Sequence, residues 1–592
     1  MSRYLLQISI GPIQEFIAAA RRTRDLWCGS TLLSEISKAA AGAVKGANGK
    51  LIFPNSDDLG ASLTPNSDFN VANVILAEFE SEEQVKTASG AAKKAAEGRW
   101  LEFVNEAHGI LEGHIDEDAW NYQKNGVIEF YSAWCSFKDD LTDYKQARQN
   151  VARLLAARKN LRDFEPWEGK AGVPKSSLDG LRENVFTGRK IKSVRVKTGE
   201  MLDVVGCVKR ASGGRAAFPS VTRIAVDPWV RGLCKTGHEL EAMLGYCEKL
   251  VELGVLSRVK HEAYKAFPYE GTALLPTRYD ALAEEAFDDD AVRNVTKDMN
   301  KFMAGLPKPM DPYLAVLVAD GDKMGKAISS LDKPERHREF SKTLSKFATD
   351  ARKIVGQCSG SCIYTGGDDV LAFLPVDTAL DCARKLYDAF CALWQTGWDE
   401  FREESPTLSV GIAIGHALED LEILLKLGRD AEHLAKHGYD SQKERNALAV
   451  TVRARSNSEI SVREQWGAQK LAAGGELAEL SIEQRLLFWA DHFAKGHIPT
   501  KFPYELRGAA KFYENWKENT DEAMRMDVIR IFKRKELKLE NDKCRVENYI
   551  NDAIKGSYKT IERLSDELLT AQWIGYAREA AGAGGDTNDQ SH

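Results

Sequence analysis

The chain has 592 residues, about four times the ~150 residues of a typical domain, so several domains are expected. Hydrophobic residues make up 43% and charged residues 29%, and 81 Lys and Arg against 88 Asp and Glu leave a net charge of -7. That balance excludes a uniformly basic nucleic-acid coat while permitting local basic faces. No run reaches the ~18 apolar residues that cross a bilayer, and the start MSRYLLQISIGPIQEF turns polar too early for a secretory signal. The ten cysteines are scattered without a CxxC, poor spacing for zinc or for disulfides. A cytoplasmic protein with reduced thiols and no membrane partner is expected.

Tyr4 to Ile10 reads as a strand ended by Gly11-Pro12, followed by a long amphipathic helix with Ile13, Phe16, Ile17, Ala20 and Trp27 on one stripe. Pro12 suits a first helical position, where its missing N–H has no partner to lose. A strand at Val71 to Phe79, a helix near 82–108, a strand at Val127 to Trp134 and a basic helix at 141–162 complete an α/β domain over 1–162. From 163 to 310 short strands and Gly/Pro-rich stretches precede helices near 237–253 and 280–303, an inserted mixed helical domain. Leu306-Pro307-Lys308-Pro309 ends it as a stiff linker.

Residues 311–455 alternate most clearly. A buried strand at Tyr313 to Ala319 leads to a helix through Phe340, Leu344, Phe347 and Ala351. Two strands flank Gly366-Gly367, and helices near 377–397 and 419–437 alternate with strands at Leu408 to Ile414 and Ala447 to Val452. The β-α-β-β-α-β order is the ferredoxin-like arrangement of palm-type polymerases and cyclases. Residues 456–580 show no strand alternation and read as all-helical, and the tail 581–592 reads as disordered. The fold class is α/β (α+β).

Two segments of the 311–455 unit belong together. Asp320-Gly321-Asp322-Lys323-Met324-Gly325 ends its first strand, and Gly366-Gly367-Asp368-Asp369 forms a hairpin turn. In a ferredoxin-like sheet these strands are neighbours, so Asp320 faces Asp368 and Asp369. Three close carboxylates repel one another unless cations lie between them, and hard oxygen ligands suit Mg²⁺ or Mn²⁺. Two such ions ~3.5–4 Å apart activate a hydroxyl and neutralise a leaving pyrophosphate. Gly366 and Gly367 allow a tight turn and close approach of a nucleotide, while Gly321 and Gly325 free a loop whose amides can hold phosphate. Asp322, Lys323 and Met324 complete that nucleotide-facing loop. Taken singly, GGDD suits an ordinary hairpin turn and Asp320-Gly321-Asp322 a solvated loop. Their joint placement at two strand ends of one unit favours the cation site.

The runs DGDKMG, HREFSKTLSKFA, IYTGGDDVLAFLP, LSVGIAIG and DAEHLAKHG…ERNAL resemble the nucleotide-cyclase palm of GGDEF relatives. Together with ISIGPIQEFIAAARRTRDLWCGSTLLSE at the start and YELRGAA and RIFKRKE near the end, they are similar to the large subunit of type III-B (Cmr) CRISPR effector complexes. The resemblance implies two palm domains, with Asp320, Asp368 and Asp369 as catalytic metal-binding carboxylates and Lys436 as a contact to the triphosphate. It implies a subunit of an RNA-guided antiviral complex that meets guide RNA, target RNA and other subunits. The activity implied is joining of ATP into cyclic oligoadenylate when target RNA is bound. The first palm has Gly11-Pro12-Ile13-Gln14 where a carboxylate pair would stand, so Gly11, Gln14 and Ser30 are expected to bind a second substrate.

Asp68 is either a turn residue or a contact to a cationic acceptor, because some relatives are thought to couple AMP to S-adenosylmethionine. Members of the family often begin with an HD nuclease domain. No His-Asp dipeptide occurs among the eleven His, and no nuclease activity by that route is expected. The region EPWEGKAGVPKSSLDGLRENVF lacks the cysteines of the family's zinc finger; Cys234 and Cys247 with His238 could supply three ligands, but the two cysteines read as buried structural thiols, so no zinc is expected. Three basic stretches, Arg21 to Arg24, Tyr144 to Arg162 and Arg189 to Lys197, either meet RNA phosphate or a neighbouring subunit, or are solvated faces. A non-catalytic scaffold and a free-standing diguanylate cyclase remain alternatives, separated by assays with labelled ATP and GTP.

Overall fold

The computed structural model describes residues 3–138, 141–161, 169–187, 199–212, 218–235, 237–286, 288–306, 310–401, 404–438, 444–456, 458–467, 480–514, 516, 521–534, 546–549 and 558–582. The Pro307-Lys308-Pro309 linker, the Arg189–Lys197 run, residues 165–168 and most of the tail lie outside them.

The first sheet has the order β2-β3-β1-β4, built from Arg3–Gly11 (β1), Lys50–Phe53 (β2), Val74–Phe79 (β3) and Glu129–Phe137 (β4), all antiparallel. Thr23–Gly46 (α1) connects β1 to β2, Glu82–Leu111 (α2) connects β3 to β4, and Leu141–Asn160 (α3) follows. Side chains alternate along β1 because strand residues point to opposite faces. Leu6, Ile8 and Ile10 join α1 and α2 in one core, while Leu5 packs beneath Tyr144, Ala147, Val151 and Leu155 of α3. The Ser81 hydroxyl caps α2 by accepting from the Gln84 amide.

The expected helix from Pro12 is interrupted. A short helical segment spans Gln14–Ala18, and α1 begins only at Thr23, so Pro12 precedes the helix instead of opening it. The buried Lys209 ammonium donates to the carbonyl oxygens of Phe16 and, at 2.9 Å, Ala19, groups that a continuous helix would have bonded to its own amides.

Lys209 belongs to Val204–Ser212 (α4), in the segment that joins the two palms. Val185, Phe186, Leu202, Val204 and Val208 share the core of the first palm. The buried Arg210 clamps α4 to α1, donating to Asp25 at 3.0 and 2.9 Å and to Glu200 at 3.0 and 2.8 Å. Farther on, His238–Glu252 (α5) and Asp289–Ala304 (α6) enclose a separate core around Met243, Cys247, Leu250, Phe267 and Met299. Burial there pushes the Cys247 thiol up to about 12. Among the described residues of 163–310 the expected short strands are reduced to isolated bridges, such as Lys175 with Glu183. The first basic cluster is spent on this docking: Arg21 donates to the Ser177 carbonyl at 2.9 Å, Arg24 lies 3.9 Å from Glu270, and burial pulls the Arg22 guanidinium down to about 10.

The second sheet runs β10-β9-β8-β5-β7-β6. Its strands are Tyr313–Gly321 (β5), Ser361–Thr365 (β6), Val370–Pro375 (β7), Leu408–His416 (β8), Ala447–Arg453 (β9) and Glu459–Gln465 (β10). Met324–Ser330 (α7) and Pro334–Gln357 (α8) link β5 to β6, Ala379–Ala392 (α9) links β7 to β8, and Leu421–His437 (α10) links β8 to the parallel β9. In both sheets the four strands of the β-α-β-β-α-β unit stand in the order fourth, first, third, second, which makes both palms ferredoxin-like. The strand β10 corrects the all-helical reading of 456–580. Glu459, Arg463 and Glu464 mask its alternation, and such charges are usual on an edge strand.

Beyond it lie Ile482–Ala494 (α11), Phe502–Tyr513 (α12), Asp521–Arg534 (α13) and Tyr558–Ala580 (α14). Gly575 lets α14 approach α11 closely, since a Cβ there would stand 2.7 Å from the Phe493 Cβ and 2.9 Å from the Ala490 carbonyl oxygen. Trp573 of α14 lies on Tyr313 of β5 with ring centroids 4.4 Å apart, so helical end and second palm share one core. Between the palms, Arg148 of α3 donates to the Ile328 and Leu331 carbonyls at 2.6 and 2.8 Å, closing the end of α7. Tyr144 meets His337 Nδ1 at 3.0 Å, and Arg338 pairs with Glu78. No helix among the described residues is long and apolar enough to cross a membrane.

Candidate active site

Ala319 pairs with Val370 across β5 and β7, so the ends of these strands bring Asp320 beside the turn that carries Asp368 and Asp369. One carboxylate oxygen from each of the three lies within 4.8 Å of the others, a cluster with half-buried Asp320 and Asp368 and Asp369 at its exposed rim. The turn closes with the Gly366 amide donating to the Asp369 carbonyl at 3.0 Å, and Gly367 adopts φ +92°, which glycine permits without strain. Gly321 is required for a different reason. A Cβ there would stand 2.8 Å from the Asp368 Cβ and 2.9 Å from its Oδ2.

Desolvation and the neighbouring Asp369 push the Asp368 carboxyl up, and desolvation on the inner side of the turn pushes Asp369 up as well. Glu432 on α10 goes up to about 7 through burial and the charges of Asp369 and Asp322. Too much negative charge converges here for bare carboxylates. Lys436, one turn along α10, meets this charge by pairing with Asp320 and standing 3.2 Å from Glu432. The donor set, carboxylates only around a concave turn that already draws in an ammonium, fits a hard divalent cation held by Asp320, Asp368 and Asp369.

The other expected residues divide. Asp322 does not face a nucleotide. It is 1% exposed, and its carboxylate accepts from Thr407 Oγ1 at 2.8 Å, Ser409 Oγ at 2.8 Å and the Asn446 amide at 2.9 Å. Asp322 therefore ties β5, β8 and the start of β9 together below the site. Lys323 takes a left-handed conformation with φ 59° and pairs with Glu404. The Met324 side chain packs into the second palm's core, while Gly325 has open space around it.

A narrow crevice with a cavity volume of only about 20 Å³ lies between the palms, lined by Ser30, Ser34 and Ser37 of α1, by Asn70 to Asn73, and by Tyr364 and Thr365 of β6. Ser30 thus lines the crevice between the palms. Gly11, Gln14 and Asp68 lie outside that lining; Gln14 and Asp68 are exposed, and Gly11 ends β1 beside Glu129. Sequence reasoning missed Asn70, Thr365 and Glu432. Only Glu432 left a signal, four residues before Lys436 and hence one helical turn away.

Residues 313–449 match Cas10/Cmr2, second palm domain, and residues 5–105 match CRISPR-associated protein Cmr2, N-terminal. The CRISPR system Cmr subunit Cmr2 of Pyrococcus furiosus is 27% identical over an alignment covering 89% of this chain and 68% of that protein. These two stretches are Cas10/Cmr2 domains. The chain carries the Cas10/Cmr2 palm of a type III CRISPR effector subunit. Among solved structures, chains of the type III-B Cmr-beta complex share the fold: the apo state with TM-score 0.60 and 13% identity over 91% of this chain and 78% of that one, and the state bound to cognate target RNA with TM-score 0.61 and 15% identity over 91% and 79%. In Cas10/Cmr2 terms the acidic cluster lies wholly within the second palm, and the cleft opens between it and the Cmr2 N-terminal domain.

Proposed function

We propose that the chain is the signalling nucleotidyltransferase subunit of an RNA-guided antiviral complex, joining ATP into cyclic oligoadenylate when target RNA is bound. The observation that carries this reading is the convergence of Asp320, Asp368 and Asp369 within 4.8 Å at the ends of adjacent palm strands. In the reaction a 3′-hydroxyl attacks the α-phosphorus of ATP. The new O–P bond replaces the bond to the bridging oxygen, pyrophosphate leaves, and the hydroxyl proton passes to water. Mg²⁺ or Mn²⁺ bound by the three carboxylates would stabilise the charge that develops on the attacking and leaving oxygens.

The chain's own residues supply the rest. Asp322 fixes the strand ends from below, Gly321 leaves the space that the Asp368 carboxylate needs, and Gly366 leaves room for the Tyr364 ring. Lys436, placed on the rim opposite the hairpin, can move from Asp320 to a triphosphate oxygen once a cation takes over the carboxylate. We place the acceptor nucleotide at the serine-lined crevice beside β6, which must widen to admit it, with hydroxyls to meet polar groups and Ile13, Ile17 and Leu33 to meet a base.

We extend this reading to guide RNA, target RNA and further subunits as partners; the likeness to a Cmr-beta complex bound to cognate target RNA supports the target RNA. The experiment is mass spectrometry of the products formed by the assembled complex with target RNA, Mg²⁺ and ATP, with and without S-adenosylmethionine. Cyclic oligoadenylates from ATP alone support the proposal. An adduct of AMP with S-adenosylmethionine would change the acceptor and keep the site, while no adenylate product at all would leave a scaffold.

A further inference from the structure

We propose that Asn70 of the first palm is a positioning residue for the carboxylate hairpin of the second, so that the Asp368–Asp369 turn is held in place from across the cleft. The inference rests on the reading of that turn as a cation site. The Asn70 side-chain amide donates to the carbonyl oxygen and to Oγ1 of Thr365, each at 3.2 Å. Thr365 is 1% exposed, is the last residue of β6 and pairs with Val370, the first residue of β7. Between them lie only the four residues of the turn, 366 to 369. A group that grips Thr365 therefore grips the root of the turn, and cation chelation tolerates errors of only about 0.5 Å in its ligands.

Asn70 can serve as an anchor because its own loop is held. The Ser34 hydroxyl of α1 stands 3.4 Å from Asn70 Oδ1 and accepts from the Val71 amide at 2.9 Å. Farther back, the buried Lys38 ammonium bridges Glu35 at 2.6 Å and the Ser67 carbonyl and hydroxyl at 3.1 and 2.9 Å, while Glu35 accepts from the Asn66 amide at 2.9 Å. Each of these partners sits on α1 or in the 66–71 loop, so the rigid α1 carries the reference frame. From the second palm, Arg352 Nε reaches the same Thr365 Oγ1 at 3.2 Å. Thr365 is thus clamped from both palms, and Asn70 is the first palm's half of the clamp. Both Asn70 and Thr365 also line the cleft, so a ligand in the cleft touches the anchor directly.

The test is Mn²⁺ titration by electron paramagnetic resonance on the assembled complex without nucleotide, comparing wild type with Asn70→Leu, Thr365→Ser and the Asp368→Ala/Asp369→Ala pair. Leucine keeps the branched outline of Asn70 at a larger volume and removes its donors; serine keeps both acceptors of Thr365. Asn70→Leu is expected to weaken site-bound Mn²⁺ about fivefold or more, in line with the loss of two hydrogen bonds. Thr365→Ser is expected to bind as wild type, and the double aspartate variant to lose the site. Unchanged Mn²⁺ affinity in Asn70→Leu, with the site lost in the aspartate pair, overturns the positioning role and leaves the cation site standing. Retention of the site in the aspartate pair overturns both. Should Asn70→Leu fail to assemble, Asn70→Ser, which is too short to reach Thr365, takes its place with the same expectation.

Discussion

Four aspartates crowd the end of β5 and the β6–β7 turn, and their surroundings assign them opposite roles. Asp322 is saturated by donors that fold around it, so Asp322→Ala leaves Thr407, Ser409 and the Asn446 amide short of a partner. The expected cost is at least ~2 kcal/mol in urea unfolding, with activity falling alongside. Asp368 and Asp369 have the reverse character. Their raised pKa values mean that the fold tolerates their charge poorly, so Asp368→Ala/Asp369→Ala should leave the unfolding midpoint unchanged or slightly higher while abolishing nucleotide transfer. Gly321→Ala falls between. Its methyl group meets Asp368 at 2.8 Å, and overpacking of this kind costs ~1–3 kcal/mol, measurable by the same unfolding and accompanied by loss of cation binding.

At the level of elements, the basic helix α3 was legible as a helix but not as a joint. Six basic residues from Tyr144 to Arg162 suggested a face for RNA or solvent, yet Arg148 is turned inward to close the end of α7. Nothing in the spacing marks that inward turn, because the partner carbonyls come from 180 residues away in the chain. Arg148→Ala should cost ~1–3 kcal/mol in denaturant unfolding by removing both bonds, the Ile328 carbonyl keeping only the Leu331 amide.

The same interface carries a pH dependence. Burial, helped by Arg148 and Arg338, lowers His337 to about 3. Between pH 6.5 and 3 the unfolded chain binds a proton that the folded chain refuses, so stability rises with pH across that window and is lost as pH falls through it. His337→Gln should flatten this part of the profile of unfolding midpoint against pH. The strand order and the carboxylate turn, by contrast, were readable directly, since β-α-β-β-α-β alternation and the Gly-Asp punctuation are local signals. The broken helix after Pro12 was not, because the ammonium that takes up its freed carbonyls belongs to Lys209, 190 residues from Ala19 in the chain.

Across the whole molecule, two palms face each other over a cleft, the joining segment clamps α1 from behind through Arg210, and the C-terminal helices complete the core of the second palm. The Cas10/Cmr2 likeness was visible in the motifs, whereas the strand β10 and the reach of Asn70 into the second palm depend on packing between distant segments. The molecule's reactive end is local to the second palm, but its geometry is shared by both. The most direct test compares wild type and Asp368→Ala/Asp369→Ala in the assembled complex with target RNA, Mg²⁺ and α-labelled ATP. Wild type is expected to form labelled oligoadenylate with one pyrophosphate released per linkage, and the variant none at equal assembly. Equal product from the variant would contradict the assignment of transfer to this cluster.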